Sequence, residues 1–415
     1  MKASQLFIKC LENEGVEIIF GIPGEENLDL MDALQDSPIR FVTTRHEQGA
    51  AFMADVYGRL TGKAGLCFST LGPGATNLVT GVADANMDRA PVVAIAGQAA
   101  TTRLHKESHQ VLDSVGMFDP ITKYSVQILE PEIIPEVIRK AFKTSQTEKP
   151  GCCFIDLPEN IAGMDIQGKL PLRVQKPFPS EPNSAKVKQA AEIINKAAFP
   201  IILAGNGVIR GRASKALCAF AEKLQIPVTN TFMAKGAIPF SHPLALGTVG
   251  LQANDYISCG LERADLIICV GYDMVEYPPS LWHKFKEQKL IHIDTAPAEV
   301  DEDYIVEAGI IGDIGNSLNR VSEKTNRSGA ASFVDHLKKT ISAELELYAD
   351  DEGFPVKPQR LVWDLSRVLR DEDMIICDVG AHKMWMARLY PSEQPNTCII
   401  SNGFASMGIA LPGAI

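Results

Sequence analysis

The chain has 415 residues, 46% hydrophobic and 22% charged, the composition of a soluble globular protein with enough apolar side chains for two or three domains. A net charge of -11, a pI near 5.3 and the lack of a Lys/Arg-rich tract exclude the electrostatic footprint of a nucleic-acid binder, which leaves small molecules as the expected partners. No apolar run reaches membrane-spanning length, and "MKASQLFIKCLENEG" reads as an amphipathic helix rather than a signal peptide, so a cytoplasmic protein without a membrane partner is expected.

In chain order, residues 1 to about 165 alternate helical patterns (3 to 14, 47 to 60, 75 to 87, 132 to 146) with strand-like runs. Those runs are "VEIIFGIPG", "RFVTT", "AGLCFST", "PVVAIAG" and "CCFIDLP". Short apolar strands separated by helices predict an α/β fold, a doubly wound parallel sheet with ligands beyond the carboxyl ends of its strands. Gly21, Gly24, Gly72, Gly74 and Gly97 fall at such ends. A linker is expected over 161 to 184, which holds Pro171, Pro177, Pro179 and Pro182.

A central α/β domain over 185–325 follows, with "PIILAGNGV", "IPVTNT", "ADLIICVGY" and "KLIHIDTA" as strands; polar residues from 324 to 330 and "YADDEGFPVKP" mark the next boundary. The third domain, 355–415, repeats the helix, strand, glycine and helix order of the first and then ends in "ASMGIALPGAI", an apolar helical pattern. About sixty residues are too few for a sheet comparable to the first, so a fragment of a longer protein is expected. The nine cysteines form no CxxC pair and read as core residues, and the eight histidines show no zinc spacing.

Two segments carry chemistry. In "RHEQGAAFMADVYGRLTG", Glu47 opens a helix whose next positions, Ala50, Ala51, Phe52, Ala54 and Val56, leave little polar surface. A simple favourable charge at a helix start explains an exposed glutamate; a buried one at the mouth of a parallel sheet is a site candidate. In "STLGPGATNLVTG", the glycines around Pro73 permit close backbone approach, and Asn77 sits in the first helical turn. Without a P-loop lysine this is no nucleoside triphosphate site.

Together with "FGIPGE", "KESHQ", "ITKYS", "DVGAHKMW" and "SNGFASMGIALPGAI", these segments resemble thiamine-diphosphate-dependent 2-oxoacid enzymes, most closely acetolactate synthases, over nearly the whole chain. The resemblance implies a pyrimidine-binding domain at 1–165, the central domain at 185–325 and the start of a diphosphate-binding domain at 355–415. It makes Glu47 the glutamate that hydrogen-bonds N1' of the cofactor's aminopyrimidine, so that the 4'-imine takes the C2 proton. Gly72, Pro73 and Asn77 would line the pyrimidine pocket, with Gln110 and Gly24 near the thiazolium and the reacting carbonyl. Gly380 and His382 would lie in the first diphosphate-domain loop, Ala405 would contact the aminopyrimidine through its backbone, and Met407 would wedge beneath the bent cofactor. Read without the family, Gln110 is a surface amide, Met407 core filler and His382 a helix-start histidine.

The activity so implied is decarboxylation of pyruvate on thiamine diphosphate and joining of the enamine to a second 2-oxoacid, by a homodimer or tetramer with shared sites. Mg2+ ligands of the family's GDG motif are expected beyond Ile415. Asp273, Met274 and Glu276 depart from the arginine and paired aspartates of many acetolactate synthases and resemble the flavin-free, catabolic type, which argues against FAD. Glu25 and Glu26 leave the acceptor oxoacid open. "LAGNGVIRGRA" places its third glycine, Gly211, one position late for a dinucleotide fingerprint. Alternative readings are another 2-oxoacid decarboxylase or carboligase of the family, told apart by product, and a non-catalytic nucleotide-binding module; a dehydrogenase ranks last.

Overall fold

The computed structural model describes residues 1–175, 180–251, 256–283, 287–327 and 334–415. Pro177 and Pro179 of the expected linker, and residues 328–330 of the expected polar boundary, lie outside the described residues. By contacts the chain divides into two units, residues 1–177 with 403–415, and residues 178–402, so the segment 355–415 is divided between them.

The first unit is built on six parallel strands: β1 (Ile18–Gly21), β2 (Arg40–Thr43), β3 (Gly65–Ser69), β4 (Val92–Gln98), β5 (Tyr124–Gln127) and β6 (Cys152–Pro158), in the order β2-β1-β3-β4-β6-β5. Strands β3, β4 and β6 are buried along their whole length, which is why they read as continuous apolar runs rather than alternating ones. Leu6, Phe7, Leu66, Val93 and Phe142 fill one face of the sheet; Ala50, Ala54, Leu78, Val82 and Phe154 fill the other. The alanines allow the helices Glu47–Thr61 and Pro73–Met87 to lie close on the sheet and on each other. The chain winds outward from β1 to β2, then returns to place β3 on the other side of β1. That reversal opens a crevice at the carboxyl ends of β1 and β3.

The second unit has its own six parallel strands, β7 (Pro200–Ala204), β8 (Val228–Asn230), β9 (Ala245–Thr248), β10 (Leu266–Val270), β11 (Lys289–Asp294) and β12 (Val306–Ile311), ordered β12-β11-β10-β7-β8-β9. A two-stranded parallel sheet, β13 (Ile375–Cys377) and β14 (Cys398–Ile400), completes it. Two strands cannot enclose a core, and Val362, Cys377, Met386 and Ile400 are buried together with Phe232, Leu251 and Leu345.

Four strands, β5, β9, β12 and β14, escape the sequence reading, and all four are sheet edges. Edge strands are covered on fewer sides and tolerate the polar and half-buried residues seen in β5 and β12. A second correction concerns "ASMGIALPGAI": its apolar pattern yields only the one-turn helix Ala410–Gly413, because Ala405 (φ +58°) and Gly408 (φ +97°) adopt left-handed backbone that ends any helix upstream. Among the described residues no helix is long and apolar enough to cross a membrane.

Candidate functional site

The crevice between β1 and β3 is lined by two turns and one helix start. Glu47 is the first residue of the helix Glu47–Thr61, preceded by His46, whose Nδ1 accepts the Gln48 backbone N–H at 3.1 Å. The helix dipole favours a carboxylate there, and the alanine-rich surroundings bury it to 7% exposure. Asn77, in the second turn of the helix Pro73–Met87, donates its amide to Glu47 Oε2 at 2.9 Å. Glu47 Oε1 faces the turn instead: a Cβ added at Gly74 would sit 3.4 Å from it and 2.9 Å from Thr70 Cγ2. One carboxylate oxygen is thus fixed by the protein, and the other accepts no hydrogen bond among the described residues.

Gly72 caps the same helix with a φ of +53°, and a Cβ there would lie 2.7 Å from the Gln110 carbonyl oxygen. Glycine is therefore required twice over, for conformation and for space. Pro73 supplies the first helical residue, where its missing N–H costs nothing. Gly24, on the β1 side, lies against Thr70, whose methine would be 2.5 Å from an added Cβ; its own N–H is taken by Asn27 Oδ1 at 2.9 Å. Asn27 in turn donates to the Ser69 carbonyl, and Thr70 donates to Glu26 at 2.8 Å. Gly24, Glu47, Gly72, Pro73 and Asn77 are therefore one constellation, with Gln110 reaching it through its backbone while its side chain is exposed.

Gln110 has a left-handed φ of +57° and rides on the loop 99–113. That loop is anchored from below: Gln98 Nε2 donates to the Leu112 carbonyl at 3.2 Å and to buried Asp156 at 3.1 Å. Burial pushes the Asp156 carboxyl up to about 6, with the Ser114 and Gln98 hydrogen bonds opposing it. Ala405 is half-buried, and Met407 is 75% exposed; both belong to the first unit. Gly380 and His382 belong to the second, at the start of the helix Ala381–Leu389, and both are exposed.

Sequence reasoning passed over Asn27, Thr70, the Gln98–Asp156 pair and the aspartates beside Arg59. The signal for the last was present, since Asp55 and Arg59 stand four apart inside an apolar helix, and charges in such a run need partners. Glu276, noted only as a departure from a family pattern, is 3% exposed and accepts the Asn206 N–H at 3.0 Å and the Thr231 hydroxyl. Among the described residues no group of three His, Cys, Asp or Glu is arranged to hold a metal ion.

Residues 1–117, 187–321 and 378–415 match, in order, the N-terminal TPP binding, central and C-terminal TPP binding domains of thiamine pyrophosphate enzymes. The whole chain is 39% identical to a probable acetolactate synthase large subunit of Methanocaldococcus jannaschii, 73% of whose length it covers. The chain belongs to the thiamine pyrophosphate enzyme family. Within it, the chain is an acetolactate synthase-like enzyme. It is also 34% identical over its whole length to the acetolactate synthase of Bacillus subtilis and 35% identical to the acetolactate synthase large subunit of Corynebacterium glutamicum, covering 74% and 68% of them. The glutamate and glycine constellation lies in the part that matches the N-terminal TPP binding domain.

Proposed function

We propose that the chain binds thiamine diphosphate through Glu47 and the Gly72–Asn77 turn, and that it decarboxylates pyruvate and joins the product to a second 2-oxoacid. The observation that carries this reading is the asymmetry of Glu47, with Oε2 held by Asn77 and Oε1 turned to the glycine-lined crevice. A buried carboxylate with one committed oxygen is suited to share a proton with a weakly basic ring nitrogen such as N1' of an aminopyrimidine. Thiamine diphosphate, when bound, supplies the carbanion chemistry that pyruvate decarboxylation and carboligation require. The protein's part is to hold the Glu47 carboxylate, keep side chains off the turn at Gly74 beside Glu47 Oε1, and keep the site apolar through Ala50, Ala51 and Phe52.

Gln110 and Gly24 are assigned to the substrate side of the crevice. Ala405 and Met407 are assigned to contacts with the cofactor, by backbone and side chain respectively, and Gly380 and His382 to its diphosphate end. The charge of the diphosphate calls for a divalent cation, and Mg2+ is the one proposed. FAD is not part of the proposal. The Asn206 N–H, at the strand-end turn where a dinucleotide phosphate would need it, is already bonded to the Glu276 carboxylate. Exposed Phe404, Met407 and Leu411 support assembly into a cytoplasmic homodimer or tetramer.

The test is calorimetric titration of the chain with thiamine diphosphate, with and without Mg2+, alongside Glu47→Gln, followed by product analysis with pyruvate. Binding that weakens in the variant, and acetolactate as product, are expected. Free acetaldehyde as the sole product would replace carboligation by simple decarboxylation, and binding of a nucleotide but not of thiamine diphosphate would sink the reading.

A further inference from the structure

The same two helices that carry Glu47 and Asn77 carry a buried charge cluster that the chemistry above does not use. Arg59 Nε lies 2.7 Å from Asp55, and its Nη2 lies 2.5 Å from Asp88 and 3.6 Å from Asp84. The three carboxylates are wholly buried and the guanidinium is 10% exposed. Three carboxylates on one guanidinium are a costly arrangement unless other donors share the charge. Two such donors come from a segment distant in sequence: the Gly403 N–H donates to Asp88 Oδ1, and the Ser406 N–H to Asp84 Oδ1 at 2.9 Å. These anchors flank Ala405, held at φ +58°, and immediately precede Met407. Residues 403–409 belong to no helix or strand, so their backbone course depends on such side-chain anchors.

We infer that Arg59, Asp84 and Asp88 are positioning residues that fix the segment 403–409, and with it Ala405 and Met407. This rests on the proposed role of those two residues toward thiamine diphosphate. A neutral acceptor would make the same hydrogen bonds, but carboxylate acceptors make them shorter and roughly twice as strong. Arg59 aims both aspartates, by bonding Asp88 directly and lying beside Asp84. The same guanidinium ties in Asp55 on its own helix, so the segment is referenced to the helix that begins at Glu47.

The experiment is hydrogen exchange of the full chain read by mass spectrometry, with thiamine diphosphate affinity in parallel, for wild type, Asp84→Ala and Asp84→Asn. In Asp84→Ala, exchange over 403–409 should rise about tenfold and affinity should fall about tenfold, the loss expected for one charge-assisted hydrogen bond, while the helix Pro73–Met87 stays protected. Asparagine keeps an acceptor oxygen and should restore most of both, which a general loss of packing would not show. If Asp84→Ala does not fold, Asp84→Asn decides through a rise of about two- to fivefold confined to 403–409. Unchanged exchange over 403–409 overturns the inference, as does a loosened segment with wild-type affinity. A wild-type chain that fails to bind thiamine diphosphate overturns the functional reading instead, and the exchange data alone then decide the anchoring.

Discussion

Two strand-end turns on two parallel sheets place a buried carboxylate against glycines, and they do so to opposite ends. In the first unit Glu47 bonds Asn77 through one oxygen and keeps the other toward the crevice. In the second, the Glu276 carboxylate is consumed internally by the Asn206 N–H, the Thr231 hydroxyl and the Asp273 N–H. Around it a Cβ at Gly205 would lie 2.5 Å from the Gly271 carbonyl, and one at Gly207 would lie 2.6 Å from Gly271 Cα. The two turns of the central sheet are thus in backbone contact, whereas Gly24 and Gly74 of the first sheet face the Thr70 side chain, and Gly74 faces Glu47 Oε1 as well. On the proposed reading the same architecture serves a ligand in one place and its own cohesion in the other, and the hydrogen-bond inventory of the carboxylate is what separates them.

The comparison predicts unlike phenotypes for like substitutions. Glu47→Gln keeps shape and removes the exchangeable proton, so the rate of acetolactate formation should fall by about 10²- to 10⁴-fold with little change in melting temperature. A variant that melts earlier and retains its rate would make Glu47 structural. Glu276→Ala should do the reverse: it strands buried donors at Asn206 and Thr231 and should cost roughly 3 kcal/mol in chemical denaturation, with thiamine diphosphate affinity unchanged. Loss of cofactor affinity without loss of stability would erase the distinction between the turns.

A pH series sharpens the same point. Burial pushes the Glu276 carboxyl up to about 7, against the Thr231 and Asn206 hydrogen bonds that favour its charged form. Its folded value is raised above the unfolded one, so the folded protein retains a proton that the unfolded chain releases. The corresponding stability is fully present below the usual glutamate range and is lost as pH rises to about 7. Glu276→Gln should flatten the stability profile between about pH 4.5 and pH 7 by at most about 1.4 kcal/mol per pH unit. Asp55, also raised by burial to about 7, and Asp156, to about 6, act in the same direction, so a residual slope is expected. An unchanged slope would mean that Glu276 is ionised throughout.

Much of this was legible in the chain itself, for identifiable reasons. Central strands such as β4 and β6 announce themselves because burial on both faces forces an unbroken apolar run, and Glu47 stands out as a lone acid before alanines. Strands β5, β9, β12 and β14 are short, lie at sheet edges and were invisible. So was the pairing of Arg59 with Asp84 and Asp88, since partners on two helices cannot be matched by spacing along one. The final segment misled for a third reason: apolar periodicity from 405 onward reports burial potential, but the backbone at Ala405 and Gly408 is left-handed, and no side-chain pattern records that. The structural role of Glu276 was hidden likewise, because what decides it is which donors the fold brings to the carboxylate.

Glycines give the finest version of the contrast. Gly72 has a left-handed φ and no room, its added Cβ falling 2.7 Å from the Gln110 carbonyl oxygen and 2.9 Å from Gln110 Cβ. Gly62, which ends the helix Glu47–Thr61 at φ +71°, has the same conformational need but nothing within 4 Å. An alanine at either site carries the left-handed penalty of roughly 1–2 kcal/mol, and only at Gly72 must neighbouring backbone also move. Gly72→Ala should therefore lose more stability than Gly62→Ala in denaturant titration and should also weaken thiamine diphosphate binding, since the displaced atoms belong to the loop that bears Gln110. Gly62→Ala, on the same helix as Glu47 but at its far end, should show the small stability loss alone. Equal losses at the two positions, or a binding defect at Gly62, would mean that the turn at Gly72 is an ordinary helix cap and that the glycines of the crevice serve the chain rather than a ligand.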